Sequence, residues 1–260
     1  MRIQYASDLH LEFKENSSYI SNNPLQVVGD ILVLAGDITV FRGNAWKKHP
    51  FFDWCSEHYQ ETYIIPGNHE YYDGIELTRC FDDFESNIRD NVRYINNRSI
   101  LIGNTELFFT TLWTKIKPTE IMSVQIGLTD CHRIKFDGRN FTSQDYEYLH
   151  SICMNWLTKG INESKATHKI IVTHHCPTEQ FVDPRFGLSN INSAFVISLD
   201  NFIEDCQCDS WIYGHTHYNG GSGTMIGRTQ LLSNQLGYVR HGENLTFNNA
   251  AFIETNITNR

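Results

Sequence analysis

Five short strings along the chain carry side chains that bind metal ions. They are Asp8-Leu9-His10, Gly36-Asp37, Gly67-Asn68-His69-Glu70, His174-His175 and Gly214-His215-Thr216-His217. Imidazole nitrogens combined with carboxylate and amide oxygens suit Mn, Fe, Zn or Co better than Mg or Ca, which favour oxygen alone. The collection is more than one ion needs and about right for two. A lone Asp or His at a strand end is more often a cap or a hydrogen-bonded structural residue. The argument therefore rests on the five strings together.

Four of the strings follow directly on an apolar run. Ile3 to Ser7 reads as a strand, and Asp30 to Ala35 as a strand buried on both faces. Pro50 opens a helix through Tyr59, and Tyr63 to Ile65 is a strand stopped by Pro66-Gly67. Each strand delivers a polar residue at its C-terminal end, where ligand sites of open α/β sheets lie. Strands are also expected at 92–95, 100–102, 107–112, 169–173 and 211–213. The segment 115–140 reads as a long loop with short helices facing the substrate. Thr142 caps a helix, with Asp145 three residues on and Gly160 at its end. A further helix is expected around 193–204. Residues 219–223 read as a hairpin loop, because they lack the Gly-Lys-Ser/Thr of a phosphate-binding loop. Strands near 230–232 and 245–253 are expected to complete a second sheet.

Composition limits the alternatives. A length of 260 residues, 40% hydrophobic and 20% charged, fits one α/β domain spanning 1–260. A net charge of −9 gives no general attraction for nucleic acid. Seven cysteines without regular spacing argue against a disulfide framework and against secretion. No apolar stretch is long enough to span a membrane, and the N-terminus starts a strand at once. The expected location is cytoplasmic.

In order and over nearly the whole chain, the five strings resemble the pattern of the calcineurin-like metallophosphoesterase superfamily. The Gly-Asn-His-Glu and Gly-His-Thr-His strings are the specific part of the match. The resemblance implies a four-layer α/β/β/α sandwich of two mixed β-sheets flanked by helices. It implies that Asp8, His10 and His217 hold one divalent metal and Asn68, His174 and His215 the other. Asp37 bridges them with a water or hydroxide, and manganese is the favoured ion. Such a pair clamps a phosphoryl oxygen and generates hydroxide for in-line attack. His69 is the implied general acid, and Glu70 a support of local geometry. His175 faces the substrate or packs nearby. Arg133, within the 115–140 segment, is a candidate phosphate clamp, with an ordinary surface arginine as the alternative.

The branch within the superfamily is less sharply marked. The string Gly36-Asp37-Ile38-Thr39-Val40-Phe41-Arg42-Gly43 lacks the second Asp of protein Ser/Thr phosphatases. Thr111-Leu112-Trp113-Thr114 and Asn234-Gln235-Leu236-Gly237-Tyr238 resemble small bacterial or phage-type phosphoesterases. The expected activity is hydrolysis of a small-molecule or nucleotide phosphoester, a diester in preference. The alternatives are a phosphomonoesterase, a nuclease acting on nucleic-acid ends, and a non-catalytic binding protein on the same fold.

Overall fold

The computed structural model describes residues 1–255, so the last five residues of the expected 1–260 domain lie outside the described residues. In chain order the first elements are β1 (Arg2–Ala6), α1 (Lys14–Asn22), β2 (Ile31–Leu34), α2 (Pro50–His58) and β3 (Glu61–Ile64). Four strands follow: β4 (Phe84–Arg89), β5 (Val92–Asn96), β6 (Arg98–Ile102) and β7 (Thr105–Thr110). The segment after them holds α3 (Ile121–Gly127), α4 (Asp130–Arg133), β8 (Lys135–Phe136) and β9 (Arg139–Asn140). Next come α5 (Ser143–Glu163), β10 (His168–Thr173), α6 (Asp200–Asp205) and β11 (Ser210–Tyr213). The chain closes with β12 (Met225–Ile226), β13 (Thr229–Ser233) and β14 (Phe252–Glu254).

Two six-stranded sheets result, ordered β14-β1-β2-β3-β5-β4 and β12-β13-β11-β10-β7-β6. Both follow one plan, with four parallel strands in the middle and an antiparallel strand at each edge. Central parallel strands are covered on both faces, so their residues are apolar without alternation. In β2, Ile31 and Val33 point between the sheets, while Leu32 and Leu34 pack with Ile20 of α1 and Phe52 and Cys55 of α2. Between the sheets, Ile3, Tyr5 and Ile31 meet Leu107, Phe109, Ile170 and Val172. The outer face of the second sheet, with Phe108, Ile171 and Trp211, packs on Leu149, Cys153 and Leu157 of α5. The architecture is the four-layer α/β/β/α sandwich implied by the resemblance.

Several boundaries differ from the sequence reading. Helix α5 continues three residues past Gly160 to Glu163. Gly160 has a packing role, because a Cβ there would lie 3.1 Å from the Phe108 ring on the sheet below. The expected helix at 193–204 is only a 3-10 turn (Asn192–Ala194) and the short α6. Between them the chain is held extended by Cys176 N–H donating to Phe195 O (3.3 Å) and Ile197 N–H donating to Cys176 O (3.0 Å). The C-terminal strand is confined to β14, and it joins the first sheet beside β1, not the second. Helix α1, strand β4 and the hairpin β8–β9 were not anticipated. No disulfide forms among the described residues, and no described helix is long and apolar enough to cross a membrane.

Filling the Gly160 contact tests this packing. Gly160→Val is expected to lower unfolding stability by about 1–3 kcal/mol through overpacking against Phe108. Urea midpoints at unchanged slope measure it, and an unchanged midpoint would contradict the close approach.

Candidate metal centre

The parallel cores of the two sheets present their C-terminal strand ends along one edge. Asp8 and His10 follow β1, Asp37 follows β2, and Asn68 follows β3. From the second sheet, His174 follows β10, while His215 and His217 follow β11. A bridge between Ser7 and Gln235 ties the two edges together. Five of these residues leave their strands in the left-handed region: Asp8 (φ 55°), His10 (46°), Asp37 (55°), His215 (74°) and His217 (50°). That conformation is costly for a residue with a Cβ and persists only where its surroundings hold it. Here the ties are local: His10 N–H donates to Asp37 O (2.9 Å), and His215 N–H to Asp8 Oδ1 (3.0 Å).

Two glycines make room for this convergence. A Cβ on Gly36 (φ +89°) would fall 2.3 Å from His174 Nδ1, and one on Gly67 2.2 Å from Asp37 Oδ1. Glu70 secures the surrounding loops. Its carboxylate accepts from the backbone N–H groups of Gly67 (2.7 Å), Asp37 (3.1 Å), Ile38 (2.8 Å) and Thr39 (3.3 Å), and from Tyr94 OH (3.0 Å).

The side chains meet as two clusters joined through Asp37, which also groups with His10 and His69. Asp8, His10 and His217 form one, and Asp37, His174 and His215 the core of the other. Asn68 joins the second cluster through Oδ1, 3.1 Å from His174 Nε2. Asp37 faces both: Oδ1 lies 3.4 Å from His174 Nε2, and Oδ2 3.8 Å from His10 Nε2.

The hydrogen-bonding pattern tests whether these groups fit cations. His10 Nδ1–H donates to Glu12 Oε1 (3.2 Å), His217 Nδ1–H to Glu243 Oε2 (2.6 Å), and His174 Nδ1–H to Ala35 O (2.9 Å). With Nδ1 of each ring held outward, Nε2 points inward, the usual orientation of a metal-ligating histidine. His10 Nε2 and His217 Nε2 lie 2.9 Å apart, and His174 Nε2 lies 3.0 Å from His215 Nδ1. Nitrogens this close share a proton or a cation between them, so the donor set fits divalent metal ions that displace those protons.

Burial disfavours charge on His174 and His217, but Asp37 outweighs it at the first and Asp8 and Glu243 at the second, raising them to about 9 and about 10, so metal binding at these two rings releases protons. Burial disfavours the charge of Asp37, but His174, His69 and His10 outweigh it and hold its carboxyl well below the usual range. Burial, reinforced by His175 and His174, holds His215 well below the usual imidazole range, in the neutral form that binds metals.

The clusters form the floor of a cavity of about 470 Å³, to which Asp37, Asn68, His69, His215 and His217 contribute. A family model described as calcineurin-like phosphoesterase matches residues 1–219. The chain belongs to the calcineurin-like phosphoesterases. It is 31% identical over 287 residues to an uncharacterized protein, L509, of Acanthamoeba polyphaga mimivirus, covering 98% of this chain and 97% of that one. Its fold resembles that of a phosphopantetheinyl hydrolase from Mycobacterium tuberculosis, at 14% identity and a TM-score of 0.69. That match covers 94% of this chain and 92% of the other.

As in other calcineurin-like phosphoesterases, the His and Asp clusters can hold metals. Of the two expectations for His175, packing nearby is what is found and a substrate-facing position is corrected: its ring is fully buried, against Trp113 (centroids 5.1 Å) and His215 (4.3 Å). Arg133 does line the cavity, but its guanidinium is paired with Asp73 (2.6 Å) and stacked over Tyr72 (4.7 Å).

Sequence reasoning missed Glu12, Tyr238, Glu243 and Asp130. Glu12 had a signal in its place two residues after His10, within reach of that ring's outer nitrogen. Glu12 Oε1 also accepts from His69 Nδ1–H (2.9 Å). Burial penalises its charge, but the hydrogen bonds from His10 and His69 hold its carboxyl at about 2.

Titrating chelator-stripped protein with Mn²⁺ is expected to raise its stability by about 2.7 kcal/mol at a hundred times the dissociation constant. His217→Ala and His174→Ala are each expected to remove one of two binding steps. A melting temperature indifferent to Mn²⁺, Zn²⁺, Co²⁺ and Fe²⁺ would contradict the site.

Proposed function

We propose that this phosphoesterase hydrolyses organic phosphodiesters in preference to monoesters. The observation that carries the reading is the cavity floor, where two ligand clusters are joined through Asp37 beside a histidine that can give up a proton. Asp8, His10 and His217 would hold one cation, Asn68, His174 and His215 the other, and Asp37 would contribute to both. The chemistry supplied by two bound divalent ions is polarisation of a phosphoryl oxygen and activation of water for attack on phosphorus.

The chain's own residues do the remainder. His69 Nε2 lies 4.0 Å from Asp37 Oδ2 and 3.2 Å from the Tyr238 hydroxyl, and the ring lines the cavity. Its Nδ1–H is held by Glu12, so Nε2 is the nitrogen that meets substrate. Burial disfavours a charged ring, but Asp37 and Glu12 outweigh it and raise the imidazole pKa. A protonated His69 is thus poised to deliver its Nε2 proton to the leaving ester oxygen as general acid.

Two features favour a diester. The cavity holds far more than a phosphate group, leaving room for organic substituents on phosphorus. Of the three arginines lining it, Arg133 is paired with Asp73 and Arg185 with Asp183 (2.6 Å each), while Arg240 donates to His241 (3.1 Å), so among the described residues a single guanidinium without a carboxylate is left for substrate charge, which suits a diester.

With Mn²⁺ present, bis-p-nitrophenyl phosphate is expected to turn over faster than p-nitrophenyl phosphate, and chelator to abolish both. Faster monoester turnover would assign a phosphatase instead. His69→Ala is expected to slow esters with alkoxide leaving groups by roughly 10²–10⁴ while metal content is retained. The loss should be smaller for p-nitrophenolate, which leaves without a proton. Unchanged hydrolysis of alkyl esters would remove His69 from the mechanism.

A further inference from the structure

We infer that the 115–140 segment reaches into the metal centre itself. Asp130, at the start of α4, is a positioning residue that fixes which end of the Asn68 amide faces the second cluster. The inference rests on reading that cluster as a metal site.

A carboxamide has an oxygen at one end and an NH₂ at the other, and the two ends have nearly the same shape. Only the oxygen can bind a cation, so the orientation of Asn68 decides whether the second cluster has its fourth ligand. Nothing in the cluster selects it strongly, since His174 Nε2 and His215 Nδ1 are themselves acceptors when a metal is to be bound. The selection has to come from the other side of the amide.

Asp130 supplies it. Asn68 Nδ2 donates to Asp130 Oδ1 (2.9 Å) and to the Tyr72 hydroxyl oxygen (3.0 Å). A carboxylate only accepts, so an amide oxygen turned toward it would face a lone pair without a proton. Tyr72 OH donates its own proton to Asp130 Oδ1 (2.5 Å), which leaves its oxygen free to accept from Asn68. Tyr146 of α5 donates to Asp130 Oδ2. All four side chains are buried, Asp130 at 1% exposure. The carboxylate has three donors and, among the described residues, no ion pair, since Arg133 on the same helix turns outward to Asp73.

Helix α4 is fixed to the Asn68 loop at a second point, where Asp73 N–H donates to Arg133 O (3.0 Å). The same turn presents Leu128, Thr129 and Arg133 to the cavity. One short segment thus both walls the cavity and sets the orientation of a ligand in its floor.

Calorimetric titration of chelator-stripped protein with MnCl₂ tests this without reference to catalysis. Wild type is expected to bind in two steps. Asp130→Asn can offer its own NH₂ to residue 68 and permit the flip, and should weaken the second step roughly 10–100-fold while the first is kept. The double variant Asn68→Asp/Asp130→Asn should restore the second step. Either end of residue 68 is then an oxygen, and the amide at 130 can donate to it. The swap also keeps the number of buried carboxylates, so it decides the matter even if Asp130→Asn alone fails to fold. Tyr146→Phe leaves the Asn68 contact intact and should shift the second step less than threefold. A second step unchanged in Asp130→Asn, or one not restored by the swap, would overturn the role of Asp130. Absence of both steps in wild type would instead overturn the metal-site reading.

Discussion

The molecule is organised around a concentration of groups that bind positive charge. Nitrogen and oxygen lone pairs from seven side chains are brought together along one sheet edge, with neighbouring atoms 2.9–3.4 Å apart. Such an arrangement is favourable only around positive charge. Five of the seven residues hold left-handed backbone, at a cost of order 1–3 kcal/mol each. The five donors gathered by Glu70 and the ties between the two sheet edges keep that backbone in place. Outward hydrogen bonds from His10, His174 and His217 fix their rings, so that a cation meets a prepared site.

Division of labour follows from this. The floor is made of strand ends, which the packing of two sheets holds rigidly. The walls come from the segment around α3 and α4, from residues 182–196, and from the stretch carrying Tyr238 and Glu243. Phosphorus chemistry thus depends on the sandwich, while the choice of ester group belongs to the walls. Asp130 and Glu243 connect the two parts, since each comes from a wall and touches a floor ligand. A change in a wall segment can therefore reach the metal centre without altering any ligand.

Much of this was legible in the residues. The convergence of the floor residues could be read because each follows an apolar run, and parallel strands put their C-terminal ends on one edge. The helix from Thr142 was legible from its cap: Asp145 accepts from Thr142 N–H as a capping box requires. Other parts carried no local signal. Helix α1 has almost no apolar periodicity; it is held by Asn16, whose amide donates to Leu9 O and Gly237 O. Strand β14 is short, and its place beside β1 is set by pairing across the length of the chain. Gly160 read as a helix end because its reason for being glycine, the Phe108 ring, belongs to another element. Asp130 and Glu243 look like ordinary acidic residues until the fold brings them to Asn68 and His217.

The central claim is that Asp37 is shared between two cations. Low-temperature electron paramagnetic resonance of chelator-stripped protein reloaded with two equivalents of Mn²⁺ tests it directly. A spectrum of two exchange-coupled Mn²⁺ ions, reverting to isolated ions in Asp37→Ala, is the predicted result. Two bound but uncoupled ions, or saturation at one equivalent, would contradict the account.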